Sequence, residues 1–132
     1  GSTVYAMSAP PGRTGWAVDV QDPRHAERVA KTFSLKERAL SVSGSSEKSF
    51  ERDGVRYSHL MDPRSGRPVQ GLLSVAVLAR TGTAGDALDN AFFVLGPEGS
   101  RAYLSTLPET EVFFFAPDGA AGWKAEHRRG GR

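Results

Sequence analysis

At 132 residues with 39% hydrophobic content, the chain suits a single domain with a modest core. Seventeen Lys and Arg against fifteen Asp and Glu leave a formal charge of +2, too small an excess to argue for nucleic acid. Cysteine is absent, which excludes a disulfide framework or a thiolate metal site, and no apolar run reaches the roughly 18 residues of a membrane helix. The first residues lack the basic-then-apolar order of a signal peptide, yet Gly1-Ser2-Thr3 has no initiator methionine, so the chain reads as a piece of a longer protein.

Residues 3–7 and 16–20 alternate about Pro10-Pro11-Gly12 and predict one hairpin; residues 29–35 and 38–43 predict a second. Gly44-Ser45-Ser46 breaks the pattern. Asp53-Gly54, between residues 50–51 and 55–57, favours the positive backbone angles of a tight hairpin turn. Asp62-Pro63 is a turn signature, in which the Asp side chain holds its own backbone and proline fixes φ. Residues 72–79 are almost continuously apolar, which predicts a central strand buried on both faces.

Ala84, Ala87, Leu88, Ala91, Phe92 and Leu95 then recur at helical spacing up to Gly96-Pro97, a helix stop. Residues 97–104 predict a second short helix with Pro97 in its first turn. Residues 112–116 return as a strand, Asp118-Gly119 turns, and residues 122–126 pair back. Residues 124–132, with Lys124, His127, Arg128, Arg129 and Arg132, read as a flexible basic tail of this single module. The class is α+β: a mainly antiparallel sheet with one or two helices packed on it.

Asp86, Asp89 at i+3 and Asn90 at i+4 fall on one helix face, which the spacing places opposite the apolar stripe. Oxygen ligands with two carboxylates suit Mg²⁺ or Ca²⁺ better than zinc, and free N–H groups at a helix start favour an anion. A capping account competes, since Thr83 followed three residues on by Asp86 resembles a capping pair. His59, three residues before Asp62, can orient a phosphate, bind an ion or move a proton, or simply satisfy a loop carbonyl. Ser43-Gly44-Ser45-Ser46 has amides and hydroxyls able to cradle phosphate, or is only a turn.

The order of these segments is more specific than any one of them. Ser43-Gly44-Ser45-Ser46-Glu47-Lys48, then Asp53-Gly54-Val55-Arg56-Tyr57-Ser58-His59, then Asp62-Pro63-Arg64-Ser65-Gly66-Arg67-Pro68-Val69, then Asp86-Ala87-Leu88-Asp89-Asn90-Ala91 with Val94-Leu95-Gly96, resembles the ApbE family of FAD:protein FMN transferases. Residues 16–23 resemble that family's strand and following Asp-Pro. The match covers only the C-terminal part of such an enzyme, and the family carries much of its flavin pocket and a further metal ligand in the other part.

The resemblance implies Mg²⁺-dependent cleavage of FAD at its pyrophosphate, with FMN passing to a Thr or Ser hydroxyl of an acceptor flavoprotein and AMP leaving. Asp86 matches the principal carboxylate ligand, Asp89 an acidic position of some members, and Asn90 a position usually held by threonine, whose replacement amide oxygen can still ligate a hard cation. His59 and Asp62 match the family's His and Asp-Pro, expected in catalysis and against the flavin diphosphate together with Leu60, Ser43 and Gly44; His59 is the expected proton acceptor. Family members often act outside the cytoplasm, as lipid-anchored periplasmic proteins. Two other readings stay open: an FAD pyrophosphatase, with water replacing the acceptor hydroxyl, and a non-catalytic flavin-binding or structural fragment. Open sheet edges are expected to recruit partner strands.

Overall fold

The computed structural model describes residues 2–45 and 49–131, so Ser46, Glu47 and Lys48 of the serine-glycine motif lie outside the described residues, as do Gly1 and Arg132. Five strands, β1 (Ser2–Ala6), β4 (Arg38–Gly44), β9 (Ser74–Ala79), β10 (Glu111–Asp118) and β11 (Gly122–Arg129), form one antiparallel sheet in the order β1-β4-β9-β10-β11. β9 sits in the middle with all six residues buried, as its unbroken apolar run requires.

Because strand side chains alternate, the sheet feeds two cores. Val75, Val77, Val112 and Phe114 face the helix α1 (Gly82–Leu104), where Leu88, Phe92 and Phe93 meet them. Ala76, Leu78, Phe113 and Phe115 face the other way, onto Val20, Phe33 and Leu35 of a ribbon made of β2 (Trp16–Gln21) and β3 (Val29–Leu35).

This layering overturns the two expected sequential hairpins. β1 pairs with β4, not β2, and β3 pairs with β2, not β4. Each ribbon strand has an apolar face that needs covering, and the sheet's second face supplies the cover. The links between Ala6 and Trp16 and at Lys36-Glu37 therefore carry the chain between layers. Glu37 adopts φ 49° to make the shorter crossing.

The Asp53-Gly54 turn is as expected: β5 (Ser49–Arg52) and β6 (Val55–Ser58) pair across it, with φ 54° and 73° at its two central residues. A two-residue ladder of β7 (Met61–Asp62) and β8 (Arg67–Pro68) follows. In α1, Gly96 leaves helical geometry at φ 69°, ψ 177°, and the chain resumes as helix from Pro97, so the expected stop and second helix are one element with a break. Among the described residues no helix is long and apolar enough to cross a membrane.

The flexible tail is corrected. β11 pairs along its whole length with β10, and Gly130 N–H donates to the Thr110 carbonyl. Its basic side chains are answered by acids: Arg128 by Glu98 and Glu126, and Arg129 by Glu111. His127 stacks on Phe113.

Candidate functional site

The start of α1 is seated on β4 at closely spaced points. Thr81, not Thr83, is the N-cap, accepting the Ala84 N–H through its hydroxyl, and the first turn holds no acidic residue. Asp86 thus falls in the second turn, beyond the region where the helix dipole or a capping box would account for it. Gly85 backs directly onto Ser41, so closely that a Cβ there would lie 3.1 Å from the Ser41 Cβ.

One turn on, Asp89 points at the sheet and is almost wholly buried, 1% exposed, rather than lying opposite the apolar stripe. Ser41 Oγ donates to its Oδ2 at 2.6 Å, while Oδ1 has no hydrogen-bond partner. Ser41 is in turn joined to Thr3 Oγ1 at 2.7 Å. Burial pushes the Asp89 carboxyl above its ordinary pKa and the Asp86 charge adds to the rise, against the Ser41 hydroxyl that lowers it.

Ser43, two residues along β4 and so on the same face, donates to Asn90 Oδ1 at 3.1 Å; Asn90 Nδ2 donates back to the Asp86 carbonyl. Asp86 itself is exposed, with Thr3 Oγ1 3.4 Å from its Oδ1. The structure thus brings Asp86, Asp89 and Asn90 together over Ser41 and Ser43. Among the described residues no three His, Asp or Glu side chains gather closely enough to enclose a metal, so this corner offers two carboxylates and an amide oxygen. A partly satisfied, buried carboxylate beside an exposed one is a donor set fitted to a hard cation.

The second expected cluster is built differently. His59 is exposed at the end of β6 and Leu60 packs against the helix-side core. The Asp62 carboxylate accepts the Arg64 backbone N–H and both arms of the Arg64 guanidinium, at 2.8 to 2.9 Å. These bonds hold its pKa below the ordinary value. Arg64 also reaches the Val94 carbonyl at 3.4 Å, which ties the turn to α1 about 12 Å along the axis from Asp86. Both Asp62 oxygens are taken by Arg64, which leads to Val94 rather than to the carboxylate corner.

Ser43 and Gly44 point to opposite sides. Ser43 serves Asn90, whereas Gly44 lines a cavity of about 660 Å³ on the ribbon side, with Asp22, Arg24 and Ser74. The Ser45 hydroxyl is committed to the Leu73 carbonyl. Sequence reasoning missed Thr3 and Ser41. The available signal was two serines at alternate positions of an otherwise apolar strand, which puts both hydroxyls on one face.

The ApbE family profile matches residues 1–114. The FAD:protein FMN transferase of Treponema pallidum (strain Nichols) is 40% identical over 113 residues, which is 84% of this chain and 31% of that protein. That of Rhodobacter capsulatus is 35% identical over 111 residues, 77% of this chain and 21% of that protein. The chain therefore spans a third or less of these curated relatives. Among solved structures, the ApbE protein of Thermotoga maritima superposes with a TM-score of 0.78 at 32% identity, over 98% of this chain and 40% of that one. The apo flavinyl transferase ApbE of Pseudomonas stutzeri gives 0.74 at 31%, over 95% and 38%. By sequence profile and by fold, this chain belongs to the ApbE family.

Proposed function

We propose that this chain supplies part of the site of a Mg²⁺-dependent FAD:protein FMN transferase. The relatives' names support flavin transfer; the observation that carries the cation is Asp89 Oδ1, buried and unpartnered beside Asp86 and Asn90. Bound there by Asp86, Asp89 and Asn90, Mg²⁺ would neutralise charge on the phosphate oxygens.

In the reaction proposed, the acceptor's Thr or Ser oxygen bonds to the FMN phosphorus. The bond from that phosphorus to the bridging oxygen breaks, and AMP departs with the bridging oxygen. His59, three residues before the Asp62-Pro63 turn, takes the hydroxyl proton. Asp62 acts through that turn, because both of its oxygens are engaged by Arg64. Leu60 and Ser43, both on the helix side of the sheet, shape the wall toward the flavin diphosphate, and Gly44, which lines the ribbon-side cavity, stands apart from it.

Titrating the chain with FAD, with and without Mg²⁺, while following flavin fluorescence and AMP, tests this reading. The expected result is Mg²⁺-dependent binding lost in Asp86→Ala with the fold retained. Binding indifferent to both Mg²⁺ and Asp86 would sink the cation reading and leave a flavin-binding fragment. Mass spectrometry of an added acceptor then separates transfer, seen as an acceptor heavier by one FMN, from hydrolysis to free FMN.

A further inference from the structure

We propose that Ser41, backed by Thr3, is a positioning residue that holds Asp89 by one carboxylate oxygen and so presents the other oxygen, and the helix start carrying Asp86 and Asn90, to a divalent cation. The inference rests on the reading of those three side chains as cation ligands. It adds two residues, from β4 and β1, that touch neither the cation nor the flavin.

The hydrogen atoms fix the direction of the relay. A serine hydroxyl has one proton, and Ser41 gives it to Asp89 Oδ2 at 2.6 Å. The 2.7 Å contact with Thr3 is therefore filled by the Thr3 proton, running Thr3 to Ser41 to Asp89. Donation into a hydroxyl strengthens the bond that hydroxyl donates onward. Thr3 reaches Asp86 Oδ1 only at a longer 3.4 Å, and a carboxylate has about four acceptor sites, so Asp86 keeps lone pairs for a ligand.

Packing makes the clasp rigid. Ser41 is fully buried on a strand paired on both sides, and Gly85 rests on it one turn before Asp89. The helix is thus held at residues 85 and 89 by one serine. Carboxylates that ligate metals are generally oriented by such outer hydrogen bonds, whose loss costs about 10–100-fold in metal affinity. Left unrestrained, Asp89 can rotate and average its two oxygens.

The test is a titration of the chain with Mn²⁺, a paramagnetic stand-in for Mg²⁺, read by electron paramagnetic resonance of the free ion, alongside a thermal melt. Asp86→Ala decides the underlying reading: unchanged Mn²⁺ affinity in that variant, or no binding by the unaltered chain, overturns the cation site and this proposal with it. Given a loss in Asp86→Ala, Ser41→Ala is expected to weaken Mn²⁺ about tenfold or more. Thr3→Val, which keeps the shape of the exposed edge residue and removes only its hydroxyl, should weaken it less. Combined with Ser41→Ala, Thr3→Val should add nothing. Wild-type Mn²⁺ affinity in Ser41→Ala and Thr3→Val, whatever happens to their melting temperatures, would overturn the clasp while leaving the cation site standing. If Ser41→Ala does not fold, Thr3→Val alone decides.

Discussion

Ser41 has no room to yield, which makes Gly85 a sharp probe of the helix seat. Alanine there would gain about 1 kcal/mol of helix propensity over glycine, but its methyl would sit 3.1 Å from the Ser41 Cβ. Overpacking of that kind typically costs about 1–3 kcal/mol. With Ser41 fixed by strands on either side, the helix has to lift, stretching the bond from Ser41 to Asp89. Gly85→Ala is therefore expected to lower stability in urea denaturation despite its better propensity; a gain would mean the helix rides more loosely on β4. The same geometry explains why Asp89 was misplaced by sequence reasoning. Residue 89 lies four after Gly85 and three before Phe92, which is the buried face by helical periodicity alone. A carboxylate there reads as solvent-facing because lone buried acids are rare, and its partner Ser41 lies 48 residues away, where no local pattern points to it.

At the scale of elements, the break in α1 depends on one residue. Gly96 sits at φ 69°, ψ 177°, a region essentially restricted to glycine. Nothing lies within 4 Å of an added Cβ at that position, so contact counts for nothing and backbone strain decides. Gly96→Ala should cost about 1–3 kcal/mol, whereas Gly99→Ala, in ordinary helical geometry with only Leu95 side-chain atoms nearby, should be neutral or stabilising by up to about 1 kcal/mol. Paired chemical denaturation curves check both; equal effects would remove the strained break as the explanation. The break was legible in Gly96-Pro97 because it is local chemistry, and Asp53-Gly54 and Asp62-Pro63 were legible for the same reason. The pairing of β1 with β4 was not. Alternation identifies a strand and its buried face, but which other strand it meets depends on how two apolar faces are covered in three dimensions. The loop about Pro10-Pro11-Gly12, unlike a two-residue turn, leaves the partner unspecified.

For the molecule as a whole, the sheet is closed at its far end by Glu111, and this gives it an acid limit. Glu111 Oε1 accepts from Arg38 of β4 at 2.9 Å, and Oε2 lies 3.0 Å from His127 Nε2 and 3.1 Å from Arg129 Nε, both in β11. One side chain thereby links three strands and holds in place the segment that composition alone made into a loose tail. Burial opposes ionisation of Glu111, but the Arg38 hydrogen bond and charge, with Arg129 and His127, outweigh it and hold the pKa below the ordinary 4.5. For a group depressed on folding, the unfolded chain binds the extra proton, so its stabilisation is complete above the ordinary value and is lost as pH falls through the folded one. Asp89 acts in the opposite sense: its raised pKa makes folding cost more as pH rises past the ordinary carboxylate range. The contribution of Glu111 is isolated by comparing the unaltered chain with Glu111→Gln, since Asp89 is common to both. Urea denaturation should show Glu111→Gln less stable by about 1–3 kcal/mol at pH 7, the scale of charge-assisted hydrogen bonds. That gap should narrow steadily below about pH 4.5, because the protonated glutamate has already lost what the amide lacks. A gap that stayed constant down to pH 3 would show that Glu111 holds β11 by shape and neutral hydrogen bonding rather than by charge.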